Sequence, residues 1–225
     1  MTHSKLSDAP DHKDGDIEDL KAILTYVIQT MSDETLKKFL VHFFESNVDF
    51  FFAPGARSDV RGHHSFKGGL AYHTLHAARL AGKISGHYSA IGIKNDRNLV
   101  VAGVLLHDVG KIDSYEWAPD FDVDGEYSHT KLGKLHHHIP IGFHKVLQGI
   151  KDFNLWQEAL DEPQLSDDVA NQLGHIILAH HGRKSWSSPV TPQNIEAYIV
   201  HSVEMMDSYV YKFNRGDDVR SIYDN

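Results

Sequence analysis

The segment that most constrains this chain is GVLLHDVGKI at residues 103–112, where an apolar run closes on a histidine, an aspartate and a lysine. The run begins near residue 98. Its length and neighbours favour a helix buried on all sides, although periodicity alone does not separate it from a buried strand. Enclosing His107, Asp108 and Lys111 without partners would cost roughly several kcal/mol each, so whatever surrounds the segment must satisfy them. A metal ion is the first candidate.

The flanking sequence reads as further helices. Ile17, Leu20, Ile23, Leu24, Val27, Ile28 and Met31 follow the three-and-four spacing of an amphipathic helix. A second helix starts at Ser32 or Asp33, both plausible caps, and repeats the pattern through Leu36, Phe39, Leu40, Phe43 and Phe44. Pro54, Gly55 and Gly62 mark residues 50–64 as loop, followed by a helix over about 69–86. More helices are expected over 139–153, 167–181 and 192–212, the last with Thr191 as cap and Pro192 near its first position. A turn or small hairpin is expected around Asp124 and Gly125. About seven helices and almost no strand define an all-α bundle.

Composition narrows the chemistry. The chain has no cysteine, which excludes disulfides and thiolate metal sites and leaves His, Asp or Glu to hold any metal. Its first residues lack a signal-like apolar core and no stretch is long and apolar enough to span a membrane, so a cytoplasmic location is expected. A formal net charge of −9 repels a polyanion unless basic groups or bound cations reverse the local sign. Of the 18 histidines, His3, His12, His42 and His87 read as scattered surface residues. Asp120, Asp122, Asp124 and Gly125 imitate the first half of a calcium loop, but Lys131 stands where a bidentate Glu is needed.

Five pieces carry the chemistry: HTLHAARLA from His73, His107 with Asp108, HHHIPIG from His136, His180 with His181, and HSVEMMD from His201. Most lie at the ends of apolar helices, where a bundle can bring them together. A histidine beside an aspartate suits a two-metal site, because imidazole offers one directional nitrogen while a carboxylate can bridge ions. Two ions a few ångström apart suit phosphate-ester hydrolysis. Lys111 lies one turn beyond His107 if the helix persists that far, aimed at an anion held by metal; the plainer reading is an exposed lysine ending a helix beside Gly110. Glu204 and Asp207 step by three from His201, so at least one carboxylate can project inward.

Taken together, FFAPGARSDVRGHHSFKGGLAYHTLHAARLA, LLHDVGKI, GKLHHHIPIG, HIILAHHGRKSWSSPVTPQNIEA and HSVEMMDSY resemble the HD superfamily of metal-dependent phosphohydrolases. The likeness is nearest to the HD domain of the YhaM-type 3′-to-5′ exoribonucleases. It covers about residues 50–212. The corresponding division is a flexible tail over 1–15, a helical extension over 16–48, the HD domain over 49–213 and a C-terminal tail over 214–225.

The resemblance implies His73, His107 and Asp108 as metal ligands, with Asp108 the bridge, and His138, His180 and His181 as the second metal's set. It makes Asp108 and Lys111 the catalytic pair, with Lys111 on phosphate, and puts His63, His64, Lys67 and Arg183 in reach of substrate. Two departures stand out. The first Asp of the family's D-x-x-D pair is here Glu204, so either Glu204 or Asp207 is the last ligand. The N-terminal oligonucleotide-binding barrel of those exoribonucleases has no counterpart, since the 50 preceding residues read as helix. The implied activity is hydrolysis of RNA or short oligonucleotides from the 3′ end with one or two divalent ions, Mn²⁺ first, then Fe²⁺, Co²⁺, Ni²⁺ or Mg²⁺. The alternatives are a phosphohydrolase of mononucleotides or small phosphate esters, and a non-catalytic nucleotide-binding module.

Overall fold

The computed structural model describes residues 6, 16–56, 63–118 and 126–216. Among them run α1 (Ile17–Gln29), α2 (Glu34–Ser46), α3 (Gly69–Ala90), α4 (Arg97–Leu106), the single turn α5 (Lys111–Ser114), β1 (Tyr115–Ala118), β2 (Glu126–His129), α6 (Lys131–His136), α7 (His138–Ala159), α8 (Asp167–Ala179) and α9 (Ile195–Arg215). The all-α expectation holds. Among the described residues the one exception is the antiparallel pair of β1 and β2, registered Tyr115 to His129 and Ala118 to Glu126. The turn between them, with the calcium-like aspartates, lies outside the described residues, as do His3 and His12.

Side-chain caps decide where the helices begin. Asp16 accepts from the amides of Glu18 and Asp19, and Asp33, not Ser32, caps α2 by accepting from Leu36. Thr191 and Pro192 do not start α9. The Gln193 amide donates to His175 Nε2 and the Asn194 side chain bonds Gln172, which holds this segment extended against α8. Asn194 then caps the helix by accepting from the Ala197 amide. On the surface, His87 is exposed as expected, whereas His42 is half-buried and stacked on Trp156.

α4 is the central helix. Its Val100 to Leu106 are all buried, enclosed by α3, α8 and α9. The apolar faces of α1 and α2 join the same core through Leu20, Leu24, Phe39, Leu40 and Phe43. Among the described residues no helix is long and apolar enough to cross a membrane. The arrangement points the C-terminal ends of α4 and α8, the N-terminal ends of α3 and α7 and the middle of α9 at one place.

Candidate metal centre

α4 stops at Leu106, with His107 as its C-cap. Three-residue turns follow, Val109 N–H to Leu106 O and Lys111 N–H to Asp108 O, before α5 begins at Lys111. The helix therefore does not persist to Lys111, the condition for Lys111 to lie one turn beyond His107. The physical reason is a close approach to α7: a Cβ on Gly110 would lie 1.9 Å from the His138 carbonyl oxygen. Lys111 still reaches the site, by doubling back until Nζ is 2.6 Å from Asp108 Oδ2. It is buried, not the exposed helix-ending lysine of the plainer reading.

Two sets of ligand atoms meet at Asp108. In the first, one atom each from His73, His107, Asp108 and Glu204 lies within 4.8 Å of every other, and all four residues are buried. His73 Nε2 is 2.6 Å from Glu204 Oε2, and His107 Nε2 is 3.2 Å from Asp108 Oδ2. The second gathers His138, His180 and His181. His138 Nε2 and His180 Nε2 approach the other oxygen of Asp108, Oδ1, at 3.2 and 3.5 Å. These three atoms are buried without a hydrogen-bond partner, which fits a place where a cation would satisfy them.

The histidines are aimed by backbone carbonyls. Nδ1 of His107 meets Val104 O at 2.6 Å, Nδ1 of His180 meets Ile177 O at 2.7 Å and Nδ1 of His181 meets Trp186 O at 2.6 Å. A carbonyl only accepts, so each Nδ1 carries a proton and Nε2 is the nitrogen turned toward the centre, free to ligate wherever the ring is neutral. His73 is backed differently, by Asp207, whose Oδ2 is 2.6 Å from Nδ1. Glu204 thus stands within the cluster and Asp207 behind it, on the far side of the His73 ring.

Charge follows the same geometry. Burial opposes protonation of His73, but Glu204 and Asp207 prevail and raise it to about 9. Burial is likewise outweighed at His107, which Asp108 and Glu204 raise to about 10. Burial pushes the Asp108 and Glu204 carboxyls up, yet the cations beside them hold both well below the usual range: Lys111 and His107 for Asp108, His73 and His107 for Glu204. Without metal, His73, His107 and Lys111 are therefore cations set against the carboxylates of Asp108 and Glu204. Burial keeps the second set neutral: His138 and His180 are lowered, and His181 falls to about 4.

The remaining sequence candidates are placed unevenly. His63 and His64 are buried beside the first set, their Nδ1 atoms 2.9 Å apart, and His63 Nε2 is 3.9 Å from Glu204 Oε1. His64 packs against the tilted ring of Tyr211 with centroids 3.9 Å apart and is 1% exposed, so it faces α9 and not solvent. Lys67 lies over the Phe52 ring. Arg183 is exposed and stacks on Trp186, whose carbonyl holds His181. Sequence reasoning missed His201 as a support: its Nδ1 bonds His180 O at 2.8 Å, and its ring fills the space a Cβ on Gly182 would need. Its place in the HSVEMMD segment was the available signal.

Helical bundle, shared aspartate and paired ligand sets define a class, and comparison with known families agrees. Residues 70–206 match the HD domain, and the chain belongs to that family of metal-dependent phosphohydrolases. Among curated proteins it is 33% identical over 164 residues to the 3′-5′ exoribonuclease YhaM of Listeria welshimeri, an alignment covering 72% of this chain and 44% of the relative. The chain thus spans less than half the length of that curated relative. No solved structure gives a significant match.

Proposed function

We propose that this chain is a phosphodiesterase that hydrolyses RNA or short oligonucleotides from the 3′ end. The observation that carries the reading is the place of Asp108 between two histidine clusters, with Oδ2 near His107, Oδ1 near His138 and His180, and Lys111 against it. In this reading His73, His107, Asp108 and Glu204 hold one divalent ion, and Asp108, His138, His180 and His181 hold a second. Mixed imidazole and carboxylate ligands favour Mn²⁺, Fe²⁺, Co²⁺ or Ni²⁺ over Mg²⁺, and Mn²⁺ is our first choice. Bound ions supply Lewis acidity toward phosphate oxygens and a water acidic enough to act near neutral pH.

The protein's own groups do the rest. Lys111, kept charged by Asp108, donates to a non-bridging phosphate oxygen and offsets the charge that builds in the transition state. Asp207 holds the Nδ1 proton of His73 and so fixes its ring. His63, Lys67 and Arg183 receive the substrate, while His64 supports His63 from below. The similarity to a 3′-5′ exoribonuclease supports the choice of substrate. A short RNA incubated with the protein and Mn²⁺ is expected to shorten from its 3′ end with release of mononucleotides, and unchanged RNA would refute the reading. A second reading, a phosphohydrolase of mononucleotides, draws support from the burial of every ligand histidine except half-buried His181. Free phosphate from mononucleotides under the same conditions would select it.

A further inference from the structure

Helix α9 carries an outward stripe that the metal centre does not use. Ile195, Tyr198, Met206, Val210 and Phe213 are exposed, by 42%, 64%, 48%, 61% and 56%. With Ser202 they step by three or four residues and fall on one face, while Val203 and Glu204 turn inward. The stripe runs from the first residue of the 21-residue helix to Phe213 near its end, about 27 Å. Beside its N-terminal end lies a hollow of about 520 Å³, walled by Tyr88, Ile93, Pro192, Ile195, Tyr198 and Ile199.

We propose that this face joins two copies of the chain in an antiparallel, two-fold pair. Register follows from the spacing. With Ser202 of one copy opposite Met206 of the second, Tyr198 faces Val210 and Ile195 faces Phe213. The Phe213 ring of each copy then enters the hollow of the other, and the two-fold axis fills both hollows at once. Charge favours the same direction: the first turn of α9 carries Glu196 and the last carries Lys212 and Arg215. Antiparallel pairing sets the acidic end of one helix by the basic end of the other and opposes their dipoles. A parallel pair would bring like ends together and leave both hollows empty.

The area suffices. Five large side chains, each about half exposed, present on the order of 500 Å² per copy, hence roughly 1,000 Å² for the pair. The walls of the hollows add to this and bring the interface to the lower bound of specific ones, about 1,200 Å².

Sedimentation or light scattering of the intact chain is expected to give a dimer. Phe213→Glu and Val210→Lys should each weaken it at least a hundredfold, with helix content and metal content unchanged. Because the chain has no cysteine, engineered thiols report geometry directly. The double variant Ser202→Cys with Met206→Cys should form a disulfide-linked dimer under mild oxidation, and Phe213→Cys alone should not. A monomer at submillimolar concentration would overturn the proposal and leave the stripe to a different partner. A dimer indifferent to both charge substitutions, or covalent dimers from Phe213→Cys alone, would overturn it equally.

Discussion

Loading the first ligand set with a divalent ion at pH 7 is expected to release about two protons. His73 and His107, held at about 9 and 10 by the carboxylates around them, are both charged at that pH in the metal-free protein. Each can ligate only through a neutral Nε2. Asp108 and Glu204 are already ionised and release nothing. Two protons therefore leave as one dication enters, and the net charge of the buried cluster does not change. The histidine protons compete with metal, so the apparent affinity should rise about a hundredfold per pH unit between roughly pH 6.5 and 8. The second set behaves oppositely, because His138, His180 and His181 are neutral at pH 7 and its loading should release no proton. Calorimetric titration with Mn²⁺ in buffers of different ionisation enthalpy counts the protons directly. Metal uptake that fills both sets with no proton release would refute the charge assignment.

Replacement of Asp207 by Asn should weaken metal binding by about 10- to 100-fold while the fold persists, measured by the same titration. Substitution Lys111→Met should lower kcat by about 10²–10³ with metal content unchanged, read by rate and metal analysis. Gly110→Ala must move backbone at the crossing with α7 and should cost about 3 kcal/mol in a denaturant titration. The metal-free protein should be most heat-stable in a narrow window around pH 6.5. Below that window the unfolded chain takes up protons that buried His63, His64, His138, His180 and His181 refuse, so stability falls with pH. Above it the unfolded chain has shed the protons that His73 and His107 still hold in the fold, so stability falls progressively until these two histidines deprotonate at about pH 9 and 10. Thermal melts across pH check both limbs.

Much of this architecture was readable in local pattern. Apolar spacing located α1 and α2, and the unbroken run before His107 correctly announced a helix enclosed on every side. The candidate ligand histidines stood out because they cluster at helix ends. What escaped was set by partners distant in sequence. The break after Leu106 answers to the backbone of α7, which no periodicity around residue 107 encodes. The start of α9 is fixed by Gln172 and His175 on α8, which override the local cap-and-proline signal at Thr191 and Pro192. Glu204 and Asp207 share a helical face, so spacing alone left them equivalent; only the position of His73 between them separates their places.

The carbonyls that grip His107 and His180 belong to the last turns of α4 and α8, where a helix has no further amide to offer them. One bond thus completes the helix and immobilises the imidazole. Ring rotation is lost when the bundle folds, before any ion arrives, so ion capture needs little further ordering of the protein. Stripping the metal with a chelator should then leave a folded bundle, in contrast to small zinc modules that collapse when their ion is taken away.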